Sequence, residues 1–248
     1  MIDAVITAGG RLPPDLAVRY GTDIKALARV GDTTLIGRTV AALRGVPEVA
    51  RIVVVGPEAM RSVAAADEFI LERATGEENL LAALGAAGGD RTVFCASDMP
   101  LLSAGSLAGM LDRAPRDACA VYPIFTRDEF ERAYPGGRSS YAALADGAWT
   151  GASAFVVRAA VLVRHAAVIC RAFGARKNVM ALAGLFGPSL TFAYLRGALR
   201  VTDIETRVSA LLGAPIVALR GADPALAFDC DDAADFDYVE ALFARSAP

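Results

Sequence analysis

The chain has 248 residues, of which 54% are hydrophobic, enough for one large α/β domain with a sizeable core. With 25 basic against 28 acidic residues the formal net charge is −3, which leaves no electrostatic footprint for nucleic acid. Cys95, Cys119, Cys170 and Cys230 lie far apart, without the short spacing of a zinc or redox motif.

The chain starts directly on an apolar strand, without the basic region and apolar stretch of a signal peptide, so a cytoplasmic protein is expected. Ile2 to Thr7 forms that strand and runs into Gly9 and Gly10. A turn without Cβ atoms at a strand's carboxyl end lets backbone N–H groups reach a base or phosphate. Arg11 to Val18 stands between the glycines and Arg19 and reads as an inserted lid, with Arg19, Gly21 and Lys25 following. Thr34 to Leu43 has apolar residues at helical spacing, with Asp32 and Thr33 as caps. Arg51 to Val55 is a second strand, Asn79 to Ala87 a helix, and Thr92 to Cys95 a third strand leading into Ser97-Asp98-Met99-Pro100-Leu101-Leu102. Ser106 to Leu111 reads as a helix with Ser103 as its cap, and Ala118 to Val121 as a strand. Short strands alternating with helices predict a parallel sheet covered on both faces, which brings Gly9, Gly10 and Asp98 to one edge.

Ala152 to Val157 is a further strand, and Ala159 to Leu212 is almost wholly helical in pattern, with a capping box at Thr202 to Glu205 and Gly213 as C-cap. Pro215 to Leu219 is a strand and Asp232 to Ala244 a closing helix. Residues 159–212 therefore read as a helical insertion or lid on a single domain spanning 1–248. Asn178 to Leu195 carries no charge, but Gly184, Gly187 and Pro188 divide it into pieces too short to span a membrane. Its large apolar groups suit an acceptor or a partner subunit, so a homodimer through the insertion is expected and membrane contact is not.

These motifs together resemble the MobA-like nucleotidyltransferases. The likeness rests on Ala8-Gly9-Gly10, Arg19-Tyr20-Gly21 before Lys25-Ala26-Leu27, Gly31 before Leu35-Ile36, Asp98-Met99-Pro100-Leu101-Leu102, and the tail Asp229 to Asp235. The resemblance implies a three-layer α/β/α Rossmann-like fold with a mostly parallel mixed sheet, of the nucleotide-diphospho-sugar transferase type. It also implies transfer of a nucleoside monophosphate from GTP or CTP to a small phosphorylated acceptor, with Mg²⁺ or Mn²⁺.

In that chemistry an acceptor oxyanion approaches a negative α-phosphate, so cations matter more than a strong base. Ala8, Gly9, Gly10 and Asn79 would seat the nucleotide, while Lys25 and an arginine neutralise the triphosphate. Lys25 is one of two lysines in the chain, with Lys177. The compact family loop is absent, so either Arg11 or Arg19 is that arginine; the spacing to Lys25 favours Arg19. Asp98 would bind metal through a hard oxygen, with Asp229 or Asp231 as the second carboxylate, since the two alternate and point the same way. Asp232 fits a helix cap. Arg138, Gly151 and the Arg176-Lys177-Asn178 run belong to an acceptor side, and His165, the single histidine, reads as structural or surface.

Two other readings are a glycosyltransferase, which the lone Asp98 disfavours, and a non-catalytic nucleotide-binding module, which the altered glycine loop leaves open. A dehydrogenase is disfavoured because Gly-x-Gly-x-x-Gly is missing.

Overall fold

The computed structural model describes residues 1–175 and 187–246. Five strands are central: β1 (Ile2–Thr7), β4 (Val49–Gly56), β6 (Thr92–Ala96), β7 (Ala120–Thr126) and β10 (Ala154–Val157). Around them lie β5 (Glu68–Leu71), a hairpin of β8 (Ala142–Leu144) and β9 (Gly147–Gly151), and β11 (Ile216–Leu219). The sheet order is β5-β4-β1-β6-β10-β7-β9-β8, with β11 also paired to β7. β5, β4, β1 and β6 pair in parallel, β10 runs antiparallel between β6 and β7, and β11 is parallel to β7. A separate ribbon pairs β2 (Arg29–Val30) with β3 (Thr33–Thr34).

The central strands are apolar almost without interruption because both faces are covered. Ala4, Ile6, Ile52, Val54, Val93 and Cys95 join one core, while Val5, Val53, Val55 and Phe94 join the other. The first layer contains α2 (Leu35–Arg44), α4 (Ala104–Arg113) and the C-terminal helix Ala233–Ser246, contributing Leu35, Leu43, Leu107 and Phe236. The second contains α3 (Gly76–Ala86), α6 (Ala159–Arg164) and the helix Val201–Leu212, contributing Leu80, Leu84, Leu162 and Leu212. The α/β/α layering expected from the alternating pattern is thus observed.

Several local expectations are corrected. Thr34, rather than Asp32 or Thr33, caps α2, accepting from Gly37 N at 3.1 Å. Within the segment after the glycines, Pro14–Tyr20 forms α1, started by proline and ended by Gly21 in the left-handed region (φ 66°). Val201–Leu212 starts one residue earlier than Thr202 implied, and its first turn is held by Asp203 Oδ2 accepting from Arg200 N at 2.9 Å rather than by a box at Thr202 and Glu205. β7 extends to Thr126, and α5 (Arg127–Ala133) follows it under a Thr126–Glu129 box. His165 sits at the break between α6 and α7 (Ala166–Ala175), its Nδ1 3.0 Å from Val161 O, and Cys170 is only half-buried.

The region 159–212 contains α6, α7, the helices Pro188–Leu195 and Val201–Leu212, and the strands before and after it, β10 and β11, both pair with β7. No helix among the described residues is long and apolar enough to cross a membrane. Arg176, Lys177, Asn178 and the apolar groups through Phe186 lie outside the described residues.

Candidate active site

The parallel strands β1, β4 and β6 deliver their following loops to one edge. Ala8 is buried there and its N–H bonds Val55 O at 2.7 Å, so Ala8 contributes backbone only. A Cβ on Gly9 would stand 3.0 Å from Glu72 Oε2 and 3.1 Å from Asn79 Nδ2, which makes the turn, Glu72 and Asn79 one seat. Asn79 is buried, and its Oδ1 accepts from Arg73 N at 2.6 Å, fixing the amide against the glycine turn. Arg11 caps this seat: its guanidinium donates to Gly9 O at 2.9 Å and pairs with Glu72. Glu72 is not legible in the sequence because β5, the strand that delivers it, is only four residues long and half-exposed.

Lys25 opens a short 3₁₀ turn, its backbone N bonded to Gly10 O at 3.1 Å and its side chain alongside Gly10. Its ammonium bonds Asp98 and, at 2.8 Å, Asp231 Oδ1. The lysine side chain is only 12% exposed, and although desolvation opposes its charge, Asp98 and Asp231 raise its pKa well above the usual lysine value.

Asp98 follows β6, and its carbonyl accepts from Cys230 N at 3.0 Å, which joins the chain's tail to this edge. Phe228 and Cys230 are buried, Asp229 is half-buried and Asp231 exposed, and no strand forms there. Phe228 is held by Phe130 and Tyr238, with ring centroids at 6.0 and 5.6 Å. Asp232 caps the C-terminal helix, accepting from Ala234 N at 2.9 Å, and Asp235 accepts from Asp231 N and Asp232 N. Asp229 Oδ2 accepts from Ser153 Oγ at 2.8 Å. Burial first, then the negative charges of Asp98 and Asp231, push the Asp229 carboxyl up to about 6. The cluster thus holds more carboxylate than the single Lys25 offsets.

Two expected members stand apart. Arg19 lies on α1 with its guanidinium on Asp237 at 2.6 Å and Glu240 at 2.5 Å, and Tyr20 bonds Glu240 at 2.6 Å. It anchors α1 to the C-terminal helix and is not gathered with Lys25 and Asp98, contrary to what the spacing favoured. Arg19→Ala is therefore expected to cost up to about 1 kcal/mol in chemical denaturation, because the pairs are largely exposed. Nucleotide affinity should change less than about twofold. Arg138 is exposed and pairs with Asp232 at 3.0 Å, on the tail rather than in the cluster. Among the described residues no three carboxylate, imidazole or thiolate groups converge as a ready-made metal cage, and Lys25 pairs with both Asp98 and Asp231.

The family model of the MobA-like NTP transferase domain matches residues 4–158. A hypothetical transferase structure from Thermus thermophilus is 28% identical, with a TM-score of 0.82 over 94% of this chain and 98% of that one. Two others share the fold. One is 2-C-methyl-D-erythritol 4-phosphate cytidylyltransferase, also from Thermus thermophilus, 20% identical, TM-score 0.57, over 98% and 100% of the two chains. The other is a nucleotidyl transferase from Methanothermobacter thermautotroptrophicus, 19% identical, TM-score 0.59, over 100% and 99%. No curated protein sequence matches this chain. With its glycine turn, lysine and strand-end aspartate lying within the matched residues, the chain belongs to the MobA-like NTP transferase domain family and is a nucleotidyltransferase.

Proposed function

We propose that the protein transfers a nucleoside monophosphate from a nucleoside triphosphate to a small phosphorylated acceptor, releasing pyrophosphate. The observation that carries this reading is the convergence of Lys25, Asp98 and Asp229 beside the Gly9-Gly10 turn. An acceptor phosphate oxygen would attack the α-phosphorus as the bond to the β-bridging oxygen breaks, and pyrophosphate leaves with that electron pair. Lys25, turning from Asp98 and Asp231 toward the triphosphate, would neutralise the charge that develops on the leaving group. Arg11 would support it from the glycine turn, in preference to Arg19, which α1 carries away from that turn to Asp237 and Glu240. Glu72 and Asn79 would face the base, and a carboxylate there favours the adjacent N–H donors of guanine, hence GTP over CTP.

The donor set fits Mg²⁺ or Mn²⁺. Asp98 and Asp229 offer hard oxygens with excess negative charge, and Mg²⁺ commonly takes one or two carboxylates plus substrate phosphates. When bound, the ion would supply Lewis-acid stabilisation of phosphate charge.

The raised Asp229 carboxyl sets the pH response. Its protonated form is favoured by the fold, so its contribution to stability is full below about pH 4 and is lost as pH rises through about 6. Metal binding needs the ionised form and runs the opposite way: Mn²⁺ affinity should rise about tenfold from pH 5 to 7, and Asp229→Asn should flatten that rise. Titration calorimetry with Mn²⁺ checks both. The reading itself is tested by thermal shift with each of four nucleoside triphosphates, with and without Mg²⁺. Selective stabilisation by one of them, weaker without metal, is expected; no stabilisation by any would overturn it.

Residues 159–212 are read as an insertion of the same domain, and the apolar positions within it as cover for the acceptor or a partner copy.

A further inference from the structure

Beyond Asp229, next to Gly151, stands an aromatic group that the mechanism above does not use. β9 and β10 form one antiparallel run against β7, interrupted between Gly151, opposite Ile124, and Val156, opposite Val121. Five steps on that run match three on β7, so Ala152 and Ser153 make a bulge. The bulge is fixed at both residues. Ala152 N donates to Pro123 O at 3.0 Å, Ser153 N donates to Leu226 O at 2.8 Å, and Ser153 O accepts from Ala96 N at 2.9 Å. It is this bulge that aims Ser153 Oγ at Asp229.

Tyr122 lies opposite the bulge. Its hydroxyl occupies the space above Gly151, where a Cβ would come within 2.5 Å of it, so glycine at 151 is what leaves room for the phenol. The ring packs on Phe155 at 5.4 Å, and Phe155 stacks on Phe94 at 4.7 Å, so an aromatic row runs from the second core to the site edge. Yet Tyr122 remains 39% exposed, and among the described residues its hydroxyl makes no hydrogen bond. Desolvation and the nearby Asp229 charge push that hydroxyl up to about 12, so at neutral pH it is a donor. The phenol thus stands at the edge of the aromatic row with part of its surface open to a ligand, on the side of the bulge that carries Ser153 and Asp229.

We infer that Tyr122 is an acceptor-binding residue, whose ring supports a flat or apolar part of an organic phosphate while its hydroxyl donates to a polar atom of that molecule. The acceptor class this selects is an aryl or otherwise unsaturated phosphate rather than a fully hydroxylated one. The inference rests on the nucleotidyl-transfer reading and deepens it.

The probe is phenyl phosphate, compared with glycerol 1-phosphate, titrated by calorimetry into protein saturated with Mg²⁺ and the stabilising nucleoside triphosphate. Wild type should bind phenyl phosphate at least about fivefold more tightly than glycerol 1-phosphate. Tyr122→Leu should weaken phenyl phosphate about tenfold, and Tyr122→Phe only two- to threefold, because the ring remains. Gly151→Ala, which displaces the phenol without deleting it, should resemble Tyr122→Leu. Nucleotide affinity, measured separately by thermal shift, should stay within about twofold in each variant, and circular dichroism should report the wild-type fold. Equal binding of the two phosphates, or unchanged phenyl phosphate affinity in folded Tyr122→Leu, would overturn the inference. So would a loss confined to nucleotide binding. Failure of wild type to bind any nucleoside triphosphate would instead overturn the reading on which the inference depends.

Discussion

Asp98→Asn should reduce pyrophosphate release by a factor of about a thousand or more while leaving a folded protein. Asparagine keeps the shape, and the structural duty of this position is carried by its backbone carbonyl, which receives Cys230 N whatever the side chain. The charge has a different duty. Asp98 is the matched strand-end carboxylate of the cluster, bonded to Lys25 and felt by Asp229, and a positioned charge at a reacting phosphate is commonly worth about two to three powers of ten. Loss of the Lys25 pair is partly offset by relief of repulsion toward Asp229, so melting temperature should move only a few degrees. A second signature follows. Since Asp98 is the largest charge holding the Asp229 carboxyl up, after burial, that carboxyl should titrate lower in Asp98→Asn, visible by carboxyl carbon NMR. Normal turnover in the variant would remove Asp98 from the metal role.

Lys25→Met should lower turnover by roughly two or more powers of ten, because it deletes the cation and keeps the aliphatic stem. A solvated lysine would be lost at little cost to the fold, but the observed geometry changes that expectation. The ammonium is largely buried and bridges Asp98 and Asp231, so its removal leaves three neighbouring carboxylates, Asp229 included, without a counter-charge. A buried unpaired charge is costly; with Asp231 exposed, about 2 kcal/mol of destabilisation is expected in metal-free protein. The sign of linkage agrees. The raised lysine pKa contributes stability that is complete below the ordinary lysine value and is lost only as pH climbs past the raised one, so the deficit should be present throughout the neutral range. Mg²⁺ should recover part of it in the variant by supplying the missing positive charge, which a denaturation series in Mg²⁺ would read. A stability loss insensitive to Mg²⁺, with turnover unaffected, would make Lys25 purely structural.

The parallel part of the sheet is legible in the sequence because its strands are buried on both faces and therefore carry long apolar runs: the run Ile2–Thr7 has the observed bounds of β1. Asp98 and the Asp229/Asp231 alternation are legible because they follow or interrupt such runs. Edge elements are not. β5 is half-exposed, and β8 and β9 are short and built largely from alanine and glycine, so none shows a clear period of two. Arg19 misleads for a related reason. Spacing along the chain points it at the triphosphate, but Pro13 and Pro14 start a helix that turns it toward Asp237 and Glu240, more than two hundred positions away. Those partners are long-range, and no local pattern announces them. The same holds for Tyr122, whose meaning depends on a glycine from another strand.

Transfer at the α-phosphorus is tested most directly with labelled nucleotide. Wild type would be incubated with Mg²⁺, the stabilising nucleoside triphosphate and a deproteinised small-molecule extract, in parallel reactions carrying α-³²P or γ-³²P. The α-label should move into a new compound while γ-label is released as pyrophosphate, with both lost in Asp98→Asn. Release of γ-label as inorganic phosphate, with α-label remaining in a nucleoside diphosphate, would contradict nucleotidyl transfer and make the protein a hydrolase.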